Sequence, residues 1–366
     1  MSDIGVIYGD NGKVLVKELL QKYNPFSDVS DLQSMSIGIK PNLLKASPSE
    51  EGATTDPEIV AGIIEYLKEQ GVNDINIMES SWVGGNTERA FTVCGYKSLA
   101  EKYKVNLYNL TGDKYFTENF RGEQIKIYQK LRDIDYLINV PVLKAHCQTN
   151  ITCALKNMKG CIPDSEKRRF HSLGLHKPIA LLNNIVKSDL IIVDGIYGDL
   201  TFEEGGNPVK MDRIIISKDP VLIDTYAARL LGYDKKDIKY IEYAEEMGAG
   251  STDLKEEDIV SYNSPETVDN IPPKSNRIVK RLSKYIEENS SCSACYGNLI
   301  HALYQLQKNN RLKQLQPKIY IGQGYTDKTE TGIGIGKCTS GFDKNVRGCP
   351  PSTKSIIDFL QDNLSG

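Results

Sequence analysis

The sequence predicts an α/β protein with a mostly parallel sheet and helices on both faces, plus a smaller, cysteine-rich C-terminal region. Strand-like and helix-like segments alternate over the first three-quarters of the 366 residues. This alternation is typical of parallel sheets with crossover helices. Two strand-like segments, 136–142 and 190–194, are continuous apolar runs, as expected where both faces of a strand are buried.

The other elements follow the same alternation. Further strand-like segments cover residues 4–8, 35–41, 74–79 and 213–217, and a helical pattern covers about 13–23. Asp56-Pro57 combines an N-cap with proline at the first helical position, which predicts a helix to about residue 70. Asp219-Pro220 begins another helix in the same way. Residues 263–276 are rich in Pro, Ser, Asn and Lys and are predicted to be a linker, so we expect an α/β domain over residues 1–285 and a second region over 286–366.

Composition excludes several classes of protein. A net charge of −3 argues against nucleic acid as a partner, because nucleic-acid binders carry a basic face. The one dense basic run, Lys167-Arg168-Arg169, is short. No segment approaches the roughly 18 apolar residues of a membrane span, and the N-terminal residues lack the features of a signal peptide. We therefore expect a cytoplasmic location, where structural disulfides are rare, and the eight cysteines need another explanation.

Four cysteines near the C-terminus have the spacing of cluster ligands. Cys292 and Cys295 form a C-x-x-C pair, Cys338 follows after 42 residues, and Cys349 after 10 more, in Gly348-Cys-Pro-Pro. A cysteine followed by proline is a recurring last ligand of iron–sulfur clusters. Helical patterns follow both ends of this set, and helix N-termini favour a net-negative thiolate cluster. The sequence therefore predicts one [4Fe–4S] cluster on these four cysteines, in a protein of an anaerobe or facultative anaerobe.

Other readings of these cysteines remain open. A structural zinc site would use the same four thiolates, although its usual second C-x-x-C is missing. A redox disulfide, or no site at all, is a further alternative. The remaining cysteines, Cys94, Cys147, Cys153 and Cys161, are predicted to be small packing residues.

Polar residues follow several predicted strands. In an open α/β sheet, ligands bind just beyond the carboxyl ends of the strands, so we expect these residues to share a pocket for a carboxylate or phosphate. The predicted pocket residues are Lys40, Asn42, Thr54, Lys144, His146, Lys156 and Asn157.

The roles expected of these residues follow from their chemistry. His146 and Lys144 are the predicted catalytic residues, with His146 as general acid or base because histidine ordinarily titrates near neutral pH. Lys144 and Lys156 would bind the anion, and Asn42 and Asn157 would orient it. The alternatives are that the lysines are solvated surface residues and that His146 is a structural histidine.

Five stretches of the sequence resemble one known family. They are Lys40-Pro-Asn42, Asn139 through His146, Thr152 through Gly160, Val193-Asp-Gly195 and Asp219 through Asp224. Together they resemble the domain of unknown function 362 family over about residues 35–235. Many members carry iron–sulfur ligand motifs near one end, so the resemblance implies a cluster here too. This chain lacks the tandem C-x2-C-x2-C-x3-C-P run of ferredoxins, which argues against a simple ferredoxin-like relay.

These observations predict an iron–sulfur redox enzyme that acts on a small anionic substrate and exchanges electrons with a redox partner protein. Neither nucleic acid nor membrane is expected as a partner, and the sequence leaves a homo-oligomer open. Two alternative functions remain. One is an electron-transfer or cluster-delivery protein without a substrate of its own, and the other is a zinc-stapled binding module.

Overall fold

The structure is a computed structural model and describes residues 3–203, 205–264, 276–312 and 318–364. The elements of the N-terminal half are β1 (Ile4–Tyr8), α1 (Gly12–Tyr23), β2 (Ile37–Pro41), α2 (Pro57–Glu69), β3 (Ile75–Glu79), α3 (Thr87–Val93), α4 (Tyr96–Tyr103), β4 (Asn106–Asn109), β5 (Tyr115–Phe120), β6 (Glu123–Tyr128), β7 (Tyr136–Val140), β8 (Lys144–His146), β9 (Asn150–Thr152), α5 (Ala154–Asn157), α6 (Asp164–Ser172) and α7 (His176–Ile185). They are followed by β10 (Leu190–Asp199), β11 (Pro208–Ser217), α8 (Pro220–Leu230), α9 (Lys239–Met247), β12 (Ile259–Ser261), α10 (Asn276–Leu282), β13 (Ile286–Glu288), α11 (Ser293–Lys308), β14 (Ile319–Ile321), β15 (Glu330–Ile335), β16 (Phe342–Val346) and α12 (Thr353–Leu364).

The large sheet has eight strands in the order β12-β1-β11-β10-β7-β2-β3-β4. Every neighbouring pair is parallel except the two that involve β11, which is antiparallel to both β1 and β10. The predicted mostly parallel sheet is therefore confirmed.

Two apolar layers cover the faces of this sheet, because side chains along a strand alternate between them. Val6, Val193 and Ile215 pack in one layer with α7, α8 and α9. Ile7 and Ile214 pack in the other layer with α1 and α2. The continuous apolar run of β7 is buried at every position, as a strand covered on both faces requires.

The helix starts follow the predicted chemistry. Asp56 caps α2 by accepting a hydrogen bond from the Glu58 backbone N–H, with Pro57 in the first turn. Asp219 caps α8 by accepting from two backbone N–H groups, again with proline behind it. Both predicted N-termini are confirmed.

A second, smaller sheet lies in the C-terminal region. It consists of β13, β14, β15 and β16 in that order, all parallel. Its apolar side chains pack with those of α11 and α12 around Leu299, Leu303, Ile321 and Ile356. The helices predicted after the C-x-x-C pair and after Gly348-Cys-Pro-Pro are present as α11 and α12. Most of the linker predicted at 263–276 lies outside the described residues.

The described residues contain no helix that is both long and apolar enough to cross a membrane.

Candidate functional site

The candidate site lies at the carboxyl edge of the large sheet, where β2 and β7 are neighbours. After β2 the chain continues to β3 on one side, whereas after β7 the next strand of this sheet is β10, on the other side. Such a reversal of strand order opens a crevice in which α/β proteins bind ligands.

A buried polar network lines the floor of this crevice. Lys40 Nζ donates to Glu79 Oε2 at 2.9 Å, and Asn42 Nδ2 donates to Asn157 Oδ1 at 2.7 Å. All four side chains are at least nine-tenths buried. Buried charges and amides of this kind are stable only when they are paired, and here each one has a partner.

Lys144 lies deeper in the same network. Its amine donates to Asn42 Oδ1 at 2.8 Å and to the Ala53 carbonyl oxygen at 2.5 Å. Burial lowers the pKa of Lys144 to about 7, against the opposing charge of Glu203. The amine is therefore partly neutral at neutral pH.

Helix α5 carries Lys156 and Asn157 to the crevice. Its first N–H groups, those of Ala154 and Leu155, donate to the Asp224 carboxylate at 2.7 and 3.3 Å. Burial raises the pKa of Asp224 to about 7, and the hydrogen bonds that it accepts work in the opposite direction. Asp224 of α8 thus fixes the position at which α5 begins.

Glu203 connects His146 with Lys156. Lys156 Nζ donates to Glu203 Oε1 at 2.6 Å, and His146 Nε2 lies 2.7 Å from Glu203 Oε2. Although burial alone would raise it, the interactions with His146 and Lys156 hold the pKa of Glu203 well below its usual range.

His146 is fixed in one tautomer by its surroundings. Its Nδ1 accepts hydrogen bonds from the backbone N–H groups of Gln148 and Thr149, both at 3.0 Å. The ring proton therefore resides on Nε2, which faces Glu203. Burial lowers the pKa of His146 to about 4, while Glu203 opposes this effect. His146 is thus neutral at physiological pH.

A pocket opens above this network, and we call it the sheet-edge pocket. The space within it that a small ligand could fill measures about 80 Å³. Its lining combines the loop after β3, the segment from α5 to α6, and the start of α11. The lining residues are Asn42, Leu44, Glu79, Ser80, Ser81, Trp82, Val83, Thr152, Lys156, Asn157, Lys159, Gly160, Lys167, His171, Glu203, Cys292, Ser293 and Ala294.

The predicted pocket residues occupy three kinds of position. Asn42, Lys156 and Asn157 line the pocket. Lys40, Lys144 and His146 lie behind it and contact lining residues. Thr54 lies outside the lining, and its hydroxyl donates to the Ser47 carbonyl oxygen at 2.7 Å.

Several lining residues escaped the sequence analysis. Glu203 follows β10, beyond the strand segment that was predicted at 190–194. Lys159 comes just after Lys156 and Asn157, the last predicted pocket residues along the chain. Lys167 and His171 lie on α6, and Lys167 belongs to the only dense basic run of the chain. That basic run was the one signal in the sequence for these residues. It did not point to a pocket, because such runs usually lie on solvated surfaces.

All four predicted cluster cysteines line one second pocket, which we call the cysteine pocket. Cys292 is the N-cap residue of α11 and Cys295 lies in its first turn. Cys338 follows β15, and Cys349 precedes α12. The lining residues are Val83, Arg168, Cys292, Ala294, Cys295, Ile321, Gly322, Gln323, Ile335, Gly336, Lys337, Cys338, Gly348, Cys349 and Pro350.

The chemistry of the cysteine pocket suits a thiolate-bound group. A Cβ at Gly336 would lie 3.7 Å from Cys295 Sγ and take up space beside that sulfur. Burial raises the pKa of Cys292 to about 11, whereas the nearby charge of Lys159 works in the opposite direction. Metal binding would therefore displace a proton from this thiol. Arg168 also lowers the pKa of Cys292 and would offset the charge of bound thiolates.

Within the described ranges, no group of three or more His, Cys, Asp or Glu side chains is arranged so that it could hold a metal ion.

The two pockets share a wall. Cys292, Val83 and Ala294 line both of them. Helix α6 adds a second connection, since Lys167 and His171 line the sheet-edge pocket and Arg168 lines the cysteine pocket.

Comparison with known proteins finds two kinds of similarity. "Thylakoid-associated protein sll1697" of Synechocystis sp. is 25% identical over 225 residues, which cover 58% of this chain and 68% of that protein. The solved structure of the lactate racemase apoprotein from Thermoanaerobacterium thermosaccharolyticum matches with a TM-score of 0.41 and 10% identity. That match covers 62% of this chain and only 56% of the racemase apoprotein.

The family itself is shown by a match to a family model. The model of the "Domain of unknown function (DUF362)" matches residues 37–229, more than half of the chain, and includes β2, β7, α5 and the start of α8. This chain therefore belongs to the DUF362 family.

Proposed function

We propose that this chain binds one [4Fe–4S] cluster through Cys292, Cys295, Cys338 and Cys349. We further propose that the sheet-edge pocket binds a small anionic substrate of a redox reaction. The observation that carries the proposal is that Cys292 lines both pockets. A cluster ligand in the wall of a substrate pocket would bring a redox centre next to the bound substrate.

A cluster accounts for the four cysteines better than zinc does. Structural zinc sites of four cysteines usually combine two C-x-x-C pairs, and here Cys338 and Cys349 are separated by 10 residues. A cysteine followed by proline, such as Cys349, is a recurring last ligand of iron–sulfur clusters. All four cysteines line one pocket, which a single cluster requires.

The sheet-edge pocket has the charge expected for an anionic ligand. Lys156, Lys159 and Lys167 line it, against the carboxylates of Glu79 and Glu203. The excess of cations in a partly buried site favours negatively charged ligands. The buried network beneath would hold these side chains in place, and His146 would orient Glu203.

The cluster, when bound, would supply or accept one electron at a time. The other side of each transfer would be a redox partner protein. Cys349 is exposed and Cys338 is partly exposed, which gives such a partner an approach to the cysteine pocket. The same exposure favours the second candidate function, an electron-transfer or cluster-delivery protein, for which the sheet-edge pocket would have no redox substrate.

The division at residue 285, a cytoplasmic location and a homo-oligomer stay predictions.

The test is metal analysis of protein purified without oxygen. We expect about four iron and four acid-labile sulfide per chain, with an EPR signal after reduction. Cys292→Ala and Cys349→Ala should lower the iron content. Cys94→Ala should leave it unchanged, because Cys94 is a buried residue that contacts Ser47 and does not line the cysteine pocket. Stoichiometric zinc without iron or sulfide would refute the proposal.

A further inference from the structure

We propose that Lys159 and His171 hold the anionic group of the substrate beside Cys292, and that this substrate is a small monocarboxylate. The inference rests on the proposed function only in taking the sheet-edge pocket as the substrate site. It names the residues that contact the ligand and the class of ligand that they select.

Two of the residues predicted to bind the substrate, Lys40 and Asn157, already use their hydrogen-bonding groups within the protein. The three protons of Lys40 Nζ face Glu79 Oε2, the Pro41 carbonyl oxygen and Asn157 Oδ1. Asn157 Nδ2 donates to Asn139 Oδ1 at 2.8 Å, and its Oδ1 accepts from Asn42. These groups stabilise one another and have little capacity left for a ligand.

Lys167 is also committed to the protein. Its amine donates to Ser80 Oγ at 2.7 Å and to the carbonyl oxygens of Ser80 and Ser81 at 3.2 and 2.6 Å. It therefore fastens the loop after β3 to α6. Lys156 is paired with Glu203 and Thr152.

Lys159 differs from these lysines. Among the contacts of the described residues, its amine has one hydrogen-bonding neighbour, His171 Nε2 at 3.4 Å. An ammonium group has three donors, so Lys159 retains the capacity to bind an anion. Burial lowers the pKa of Lys159 to about 7, and a bound anion would favour its charged form.

His171 supplies an independent observation. Its Nε2 is approached by Lys159 and by the Ser293 backbone N–H at 3.5 Å, which makes Nε2 the acceptor and leaves the ring proton on Nδ1. Within the described part of the chain, this Nδ1 is buried and has no hydrogen-bond partner. His171 as a whole is 8% exposed. His171 lines the sheet-edge pocket. A buried N–H without an acceptor is unfavourable, and an oxygen of a ligand bound beside His171 is the acceptor that we propose for it.

The start of α11 reinforces the same position. Ser293 and Ala294 line the pocket and lie in the first turn of this helix. The Ser293 N–H is directed at His171, whereas the Ala294 N–H has no partner within the helix and favours negative charge. Lys159, His171 and the start of α11 thus surround one place next to Cys292.

The dimensions and charge of this place select the ligand. A volume of about 80 Å³ holds about five to eight water-sized groups, enough for a carboxylate with a short carbon chain. Leu44, Trp82 and Val83 supply apolar surface for that chain. Lys159 is the cation of the wall that has no carboxylate partner among the described residues, and the carboxylates of Glu79 and Glu203 in the same wall would repel a second negative charge.

The chain has a single tryptophan, Trp82, which lines the pocket and reports on binding. Protein purified without oxygen is titrated with propionate, succinate and inorganic phosphate at constant ionic strength, and the Trp82 fluorescence is followed. We expect saturable binding of propionate and weaker binding of the other two. Tighter binding of phosphate or succinate would overturn the monocarboxylate assignment.

Variants test the residues. Lys159→Met and His171→Phe should each weaken propionate binding at least tenfold, and Lys159→Arg, which keeps the charge, should bind within about threefold of the native protein. Lys68→Met makes the same change of charge at an exposed position and should have no effect. Native affinity in Lys159→Met, or equal losses in Lys159→Met and Lys159→Arg, would overturn the inference.

Iron content measured on the same samples separates this inference from the proposed function. If iron-loaded protein binds propionate equally well with and without Lys159→Met, the inference is refuted and the cluster proposal stands. Iron-free native protein that binds propionate through Lys159 would refute the cluster and leave the inference standing. Iron-loaded native protein that binds none of the three anions would overturn both the inference and the substrate half of the proposed function.

Discussion

Glu203 is the counter-ion of a buried lysine, and Glu203→Gln removes its charge with almost no change of shape. The carboxylate faces Lys156 Nζ at 2.6 Å and His146 Nε2 at 2.7 Å. Lys156 and Glu203 are 6% and 9% exposed, so water cannot replace the lost charge. The substitution should leave Lys156 as a buried ammonium without its carboxylate.

The expected cost follows from that burial. Removing one partner of a buried ion pair destabilises a protein by about 3–5 kcal/mol, and the amide oxygen that remains places Glu203→Gln near the lower end. An unfolding entropy of about 2.1 cal/mol/K per residue over 366 residues amounts to about 0.8 kcal/mol/K. A loss of about 3 kcal/mol should therefore lower Tm by about 4 °C.

Thermal unfolding followed by circular dichroism measures this change. Glu257→Gln, at an exposed position, is the matched control and should change stability by less than about 0.5 kcal/mol. Lys156→Met combined with Glu203→Gln should cost less than the sum of the single changes by about 2 kcal/mol, since the two residues are in contact. A Tm within about 1 °C of the native value, or additive effects in the double variant, would refute this account of the pair.

Three further predictions concern the cluster, the helix that carries Lys156, and the link between the pockets. In Gly84→Ala the new Cβ would collide with the carbonyl oxygen of Cys349, whereas in Gly112→Ala, at a similar positive φ, the new Cβ meets nothing within 4 Å. Only Gly84→Ala should therefore lower the iron content per chain. Equal iron contents in the two variants would contradict the close packing of Gly84 against Cys349. In the folded protein the pKa of Asp224 is raised to about 7, whereas an unperturbed aspartate has a pKa of about 4. The stability that protonated Asp224 contributes is therefore complete below about pH 4 and is lost as pH rises through 7. Asp224→Asn should therefore change the slope of unfolding free energy against pH between 4 and 7 by up to about 1.4 kcal/mol per pH unit, measured by denaturant titration, and parallel curves would count against it. Saturating propionate should lower the midpoint potential of the cluster in a spectroelectrochemical titration, by about 59 mV for each tenfold preference for the oxidised state; an unchanged potential would mean that the two sites are not coupled.

The sequence was sufficient for the features that follow from local patterns. Apolar runs identified β7 and the first half of β10, and Asp-Pro pairs identified the starts of α2 and α8. Because parallel strands end at a common edge, the residues after β2 and β7 were expected to meet, and the Asn42–Asn157 hydrogen bond shows that they do.

Features that depend on tertiary context were not predictable. Residues 195–199 extend β10 beyond the predicted segment, although they contain two glycines, which are unusual inside a strand. The register is irregular between Gly195 and Tyr197, and Glu203 comes just after this extension. β13 and β14 are three residues long, too short for a periodicity to be recognised. Lys159 and His171 are ordinary polar residues of a turn and a helix, and only the folded chain shows that α6 places them beside Cys292.

The wall formed by Cys292, Ser293 and Ala294 lies well beyond residue 229, where the match to the family model ends. A relative with the same sheet and the same lysines, but with another C-terminal segment, would close its crevice with different atoms. The part of the chain that matches the family model would then supply the binding crevice, and the C-terminal segment would determine which chemistry takes place there. Two such relatives would differ in activity although they share the same lysine and asparagine network.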